Sequence, residues 1–213
     1  MEPNLERAAA LALETLVKNG ISSAPVMPLP ILKNTPGVLV VSFAQMSEET
    51  GFARDEILDC FGENQDAASF RAENGHYVVA YNQSLPLFII QRSAARELGH
   101  ILLGHDGSRP ESVRMAEAVC FAQHLLCPRP LLHGIQSAGV PLTKNVLCNV
   151  TGSDDRCLSC INEAPGVRVP AGLNRAVREL FSGYIKNFVS YKKAVIDESP
   201  VVNLGSFMVN YEE

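Results

Sequence analysis

The sequence predicts an α+β protein in which a small antiparallel sheet packs on a helix, with further helices C-terminal to it. Three observations predict it. Asn74-Gly75 sits between two alternating segments, Ala68–Ala72 and His76–Asn82, and Asn-Gly is the dipeptide that a tight hairpin turn favours. The run Gly37-Val38-Leu39-Val40-Val41-Ser42-Phe43 is rich in β-branched and apolar residues and reads as a further strand. Elsewhere apolar residues recur three and four apart, the spacing that gives a helix one buried face.

Taken in order, Asn4 caps a helix whose Leu5, Ala8, Ala9, Ala12, Leu13, Leu16 and Val17 share a face until Gly20 stops it. Pro25, Pro28, Pro30 and Pro36 then punctuate a segment read as extended, which leads into the strand at 37–43. Residues 47–61 carry a loose helical pattern, with Ser47 and Thr50 as caps and Gly51 as an interruption. After the hairpin, a helix runs from Leu87 to Leu103 and Gly104 ends it. A second helix opens at Ser108-Arg109-Pro110-Glu111, with Pro110 in its first turn and Pro128 just past its end. Residues 128–170 mix turn formers with short apolar pieces and read as short helices and loops. One long helix is expected from Leu173 to Ala194, and the apolar tail around Val201–Val209 reads as a strand or a surface segment. With no repeat or linker, residues 1–213 divide most simply as one domain, with a helical extension over about 170–195 and a tail over 196–213.

Composition excludes several classes. Of 213 residues 46% are hydrophobic and 19% charged, which disfavours disorder and coiled coil. The 18 Lys and Arg against 23 Asp and Glu give a net charge of −5, the wrong sign for direct nucleic-acid binding. No apolar run reaches the roughly 18 residues of a membrane span. The N-terminus lacks the basic, apolar and small-residue succession of a secretory signal, so a cytoplasmic location is expected, with no membrane association. The six cysteines are sparse for this length and read as free thiols.

Chemistry concentrates in Ala95-Arg96-Glu97-Leu98-Gly99-His100-Ile101-Leu102-Leu103-Gly104-His105. In the zinc-peptidase pattern His-Glu-x-x-His, histidines four apart lie on one helix face and the intervening glutamate polarises a metal-bound water. Glu97 and His100 are in register with that pattern, whereas Arg96 stands at the first ligand position, and a guanidinium offers a metal no lone pair. Glu117, an acid in the apolar run Met115–Ala122, is the candidate third ligand, since an unpaired carboxylate there would be costly. Its natural partner is a metal or a cation, and Arg96 is the cation the pattern offers. His105, five residues past His100, points about 140° away on an ideal helix and serves as an additional ligand only if the helix ends before it.

The hairpin ending in Tyr81-Asn82, the helix with Arg96-Glu97-Leu98-Gly99-His100, and Glu117-Ala118-Val119-Cys120-Phe121-Ala122 ending in Leu125-Leu126-Cys127-Pro128 together resemble the ImmA/IrrE family of metallopeptidase-like proteins. The resemblance covers roughly residues 25–160 and departs from the family pattern at Arg96, Val119 and Cys127. It implies a zincin-like fold on a degenerate form of the motif, with Glu97 as the catalytic glutamate and His100 and Glu117 as metal ligands. It further implies a regulatory protein that cuts or antagonises a helix-turn-helix repressor. The cofactor is zinc if the protein is active. The alternative is a non-catalytic pseudo-peptidase that binds its protein partner without metal because Arg96 replaces a ligand.

The remaining chemistry-bearing residues read as structural. Cys157-Leu158-Ser159-Cys160 has no second Cys-x-x-Cys to complete a zinc site, and Cys120 and Cys127 suit small core positions. His76 follows a turn and is expected at the surface, and His124 is expected in a surface or packing role. Gly99 leaves room for a neighbouring element to approach the ligand helix.

Overall fold

The computed structural model describes residues 2–61, 66–153 and 166–192. Helix α1 spans Leu5–Lys18, and the Asn4 side chain accepts from the Arg7 amide at 3.0 Å as the cap requires. Its Ala8, Ala9, Ala12, Leu13 and Leu16 are buried, small residues that let α1 lie close against a helix described below. Helix α2, Pro28–Lys33, corrects the extended reading of this segment. Prolines in a first turn cost nothing, because the amides they remove have no intrahelical partner. Ile31 and Leu32 turn inward, and the Leu29 amide donates to the Gln91 side chain at 3.1 Å.

Strand β1, Val38–Ser42, hands directly to α3, Phe43–Thr50. The cap is Ser42 rather than Ser47 or Thr50: its hydroxyl accepts from the Gln45 amide at 3.1 Å while the Gln45 side chain accepts from the Ser42 amide at 2.8 Å. Ser47 and Thr50 instead donate to the carbonyls of Phe52 and Met46. Gly51, with φ +75°, ends the helix in the left-handed region, and α4 follows over Arg54–Phe61. The expected hairpin forms as β2, Ala67–Arg71, against β3, Tyr77–Tyr81, in register Ala67↔Tyr81 to Arg71↔Tyr77.

The sheet has the order β1-β3-β2, and β1 lies parallel to β3, from Val38↔Tyr77 to Ser42↔Tyr81. It is therefore mixed rather than antiparallel. The sequence between β1 and β3 includes two helices, enough chain for the crossover that a parallel pair needs. Val38, Val40 and Val79 join the main core, whereas Ala80 packs with Phe43 and Ile57 in a second, smaller cluster.

Helices α5, Leu87–Leu102, and α6, Glu111–Leu126, pack together beneath the sheet, and α1 lies along α6. Gly99 is the close-approach position: a Cβ there would meet the Phe121 ring at 3.0 Å. Helices α7, Arg129–Ser137, and α8, Lys144–Thr151, follow. The expected final helix is two, α9 over Ala171–Leu180 and α10 over Ser182–Lys192, broken at Phe181 beside the weak helix formers Ser182 and Gly183. Phe181 is fully buried, so the break lets its ring enter the core. No helix among the described residues is long and apolar enough to cross a membrane. The tail and the Cys157/Cys160 pair lie outside the described residues. Cys120 and Cys127 are buried free thiols, and burial pushes both up to about 12.

Candidate functional site

A cleft of about 540 Å³ opens between β2 and the helix pair α5–α6, lined among others by Ser69, Arg96, Glu97, His100, His105 and Arg114. On α5, Arg96 and His100 are four apart and share the cleft-facing side. Glu97 is only 5% exposed and points at β2, where the Ser69 hydroxyl donates to its Oε2 at 2.6 Å. Arg96 Nε donates to Glu97 Oε1 at 3.2 Å, and its terminal nitrogen reaches the Ala67 carbonyl at 3.1 Å. Burial raises the Glu97 carboxyl above its ordinary value, because the hydrogen bonds from Ser69 and Arg96 and the Arg96 charge offset desolvation only in part.

Helix α5 ends at Leu102, and Gly104 at φ +68° turns the chain back. That reversal brings His105 to the cleft, 1% exposed, where an uninterrupted helix would carry it away. Its Nδ1 lies 2.9 Å from His100 Nδ1 and its Nε2 lies 2.9 Å from Glu117 Oε2. An ionised carboxylate only accepts, so His105 Nε2 bears the proton. Between the two Nδ1 atoms one donates and the other accepts, the direction being set by the ring tautomers. Burial, followed by the charges of His105, Arg96 and Arg114, lowers the His100 imidazole to about 4.

Glu117, on α6, is 1% exposed and carries the densest hydrogen bonding in the site. Arg109 grips it with both ends of its guanidinium, NH1 to Oε2 at 2.8 Å and NH2 to Oε1 at 2.7 Å. The Asn4 amide donates to Oε1 at 2.7 Å, and His105 completes the set. Burial alone would push this carboxyl up; the bonds from Arg109, Asn4 and His105, with the Arg109 charge, outweigh it and hold the group at about 2.

Glu97, His100 and His105 thus line one cleft, which Glu117 joins only through its bond to His105, and Arg96 pairs with Glu97 rather than with Glu117. The cation that meets Glu117 is Arg109, which the sequence reading placed only near a helix cap. Asn4, 113 positions away, and Ser69 were likewise unforeseen as site residues. The expected zinc centre does not assemble. A carboxylate has about four acceptor sites, and four N–H donors fill those of Glu117; Arg96 has no lone pair; and the two histidines face each other. Among the described residues no group of three or more His, Cys, Asp or Glu side chains is placed to hold a metal ion. The donor set does not fit zinc.

The class that fold and site define is an α+β protein with a mixed sheet packed against helices and a cleft in which Arg96 and Glu97 pair. Residues 56–145, from α4 into α8, match the family model described as the IrrE N-terminal-like domain of Peptidase_M78, and that stretch is homologous to it. It includes every site residue named above except Asn4, whose contribution is a backbone amide. No curated protein and no solved structure matches the chain.

Proposed function

We propose that this chain is a non-catalytic, peptidase-like regulatory module that binds a protein partner without metal. The partner class is a helix-turn-helix repressor, the setting is the cytoplasm, and neither nucleic acid nor membrane is contacted directly. The single observation that carries this reading is the saturation of Glu117 by Arg109, Asn4 and His105, which leaves the proposed third ligand with no acceptor site for zinc. Glu97, the general base on a catalytic reading, is held by Arg96 and Ser69 and serves here to brace β2 over α5. His105 bridges His100 and Glu117.

The partner's extended segment lies along β2, whose outer edge meets no strand among the described residues, as an added strand above the cleft. Phe70, 45% exposed on β2, offers an apolar contact beside it. The test uses helix-turn-helix regulators encoded in the same genome, expressed singly and titrated with the intact chain, with zinc and with EDTA. Binding of one of them with the same Kd in both conditions, and with the regulator intact on a gel, is the expected result. Cleavage that zinc supports and EDTA stops overturns the non-catalytic reading, and a full set of regulators without binding overturns the partner class.

A further inference from the structure

We infer that Arg109 is the resident cation of this centre: its guanidinium fork holds Glu117 against any divalent metal ion, so that Arg96→His alone does not restore a zinc site. The inference deepens the metal-free reading above and rests on it.

Arg109 ends the loop between α5 and α6, and its side chain reaches Glu117 eight positions on. The loop is pinned at several points. The Ser108 amide and hydroxyl both donate to Asp106 Oδ1, and Arg114 Nε donates to the Arg109 carbonyl at 3.2 Å. The fork therefore arrives on a constrained backbone rather than on a free surface side chain. A carboxylate as buried as Glu117 needs a compensating charge, and a planar guanidinium with two parallel N–H bonds supplies it in the geometry that carboxylates favour.

A divalent ion on the same oxygens would have to displace the fork, the Asn4 amide or the His105 proton, and would meet the Arg109 charge at close range beside a buried carboxylate. Metal and Arg109 are alternatives for one carboxylate. Arg96 at the first ligand position and Arg109 on Glu117 are therefore two separate obstacles to metal, lying on different segments of the chain. Reverting one leaves the other.

The test compares the intact chain with Arg96→His, Arg109→Met and the double variant Arg96→His/Arg109→Met. Each is checked for fold by circular dichroism, for zinc by elemental analysis, and for zinc affinity by competition with a chromophoric chelator. The parent and Arg96→His are expected to hold well below one zinc per chain. The double variant is expected to hold one, with a Kd at least about tenfold tighter than Arg96→His, in the range by which groups that orient or block metal ligands change affinity. Equal zinc binding by Arg96→His and the double variant overturns the inference, as does a folded double variant that stays metal-free. Should the double variant be unfolded as purified, zinc is added during refolding. Recovery of the double variant but not of Arg109→Met supports the inference, and failure of both overturns it. Zinc in the parent is a different failure, because it overturns the metal-free reading itself.

Discussion

Glu97, which lines the cleft, and Glu117, which joins it through His105, are both buried acids, yet the balance of forces on them has opposite sign. For Glu117 the folded state holds the carboxyl at about 2, below its ordinary 4.5, so its ionised form contributes stability that is complete above pH 4.5 and lost as pH falls toward 2. For Glu97 the folded value lies above 4.5, so ionising it costs stability as pH rises through that folded value. Glu117→Gln is accordingly expected to lose on the order of 2 kcal/mol at pH 7, the scale of hydrogen bonds to a charged group, and to lose less as pH approaches 2. Glu97→Gln is expected to cost less at pH 7 than Glu117→Gln, and to gain on the parent as pH rises. Urea unfolding at pH 7, 4 and 3 separates the two, and parallel pH trends for both variants would refute the assignment. The two acids and His100 were legible in the sequence because helical spacing places them. Arg109 was not, because its bond to Glu117 spans eight residues and begins in a loop, where periodicity carries no information.

At the scale of elements, two glycines predict different responses to the same change. At Gly99 a Cβ would press on the Cδ1, Cγ and Cβ atoms of Phe121, at 3.0, 3.1 and 3.2 Å, and that ring is fully buried between α5 and α6. Gly99→Ala is expected to cost about 1–3 kcal/mol in urea unfolding, the usual price of overpacking a core. At Gly134, on α7, the nearest atom is Ile185 Cδ1 at 2.5 Å, the far end of a side chain that can rotate away. Gly134→Ala also gains about 1 kcal/mol of helix propensity, so its net change is expected to be smaller; a Gly134→Ala loss equal to that of Gly99→Ala would contradict this account. The close approach at Gly99, the Asn4 cap and the hairpin turn were legible because each is a local rule acting on local sequence. The parallel pairing of β1 with β3 and the helix at Pro28–Lys33 were not. The first is a choice between distant strands, and the second depends on Ile31 and Leu32 finding a core to enter.

At the scale of the molecule, the site is closed from two directions: by the α5–α6 loop through Arg109 and His105, and by the start of α1 through the Asn4 amide. Asn4 therefore has two separable roles, since its side chain caps α1 and its backbone N–H reaches Glu117 Oε1. Asn4→Ala removes the first and keeps the second, with an expected loss of about 1 kcal/mol. Asn4→Pro removes both, and the further loss is expected to be on the order of 1–2 kcal/mol, that of a hydrogen bond to an ionised acceptor. Proline also alters the unfolded chain, so the difference between the two variants is read again in a Glu117→Gln background. If the amide acts through the Glu117 charge, most of that difference disappears there. A difference unchanged by Glu117→Gln would mean that proline acts on α1 alone and that the N-terminal helix and the cleft are energetically independent. Its disappearance would make the docking of α1 part of what keeps Glu117 closed to other ligands, with helix packing and site chemistry joined through one backbone N–H.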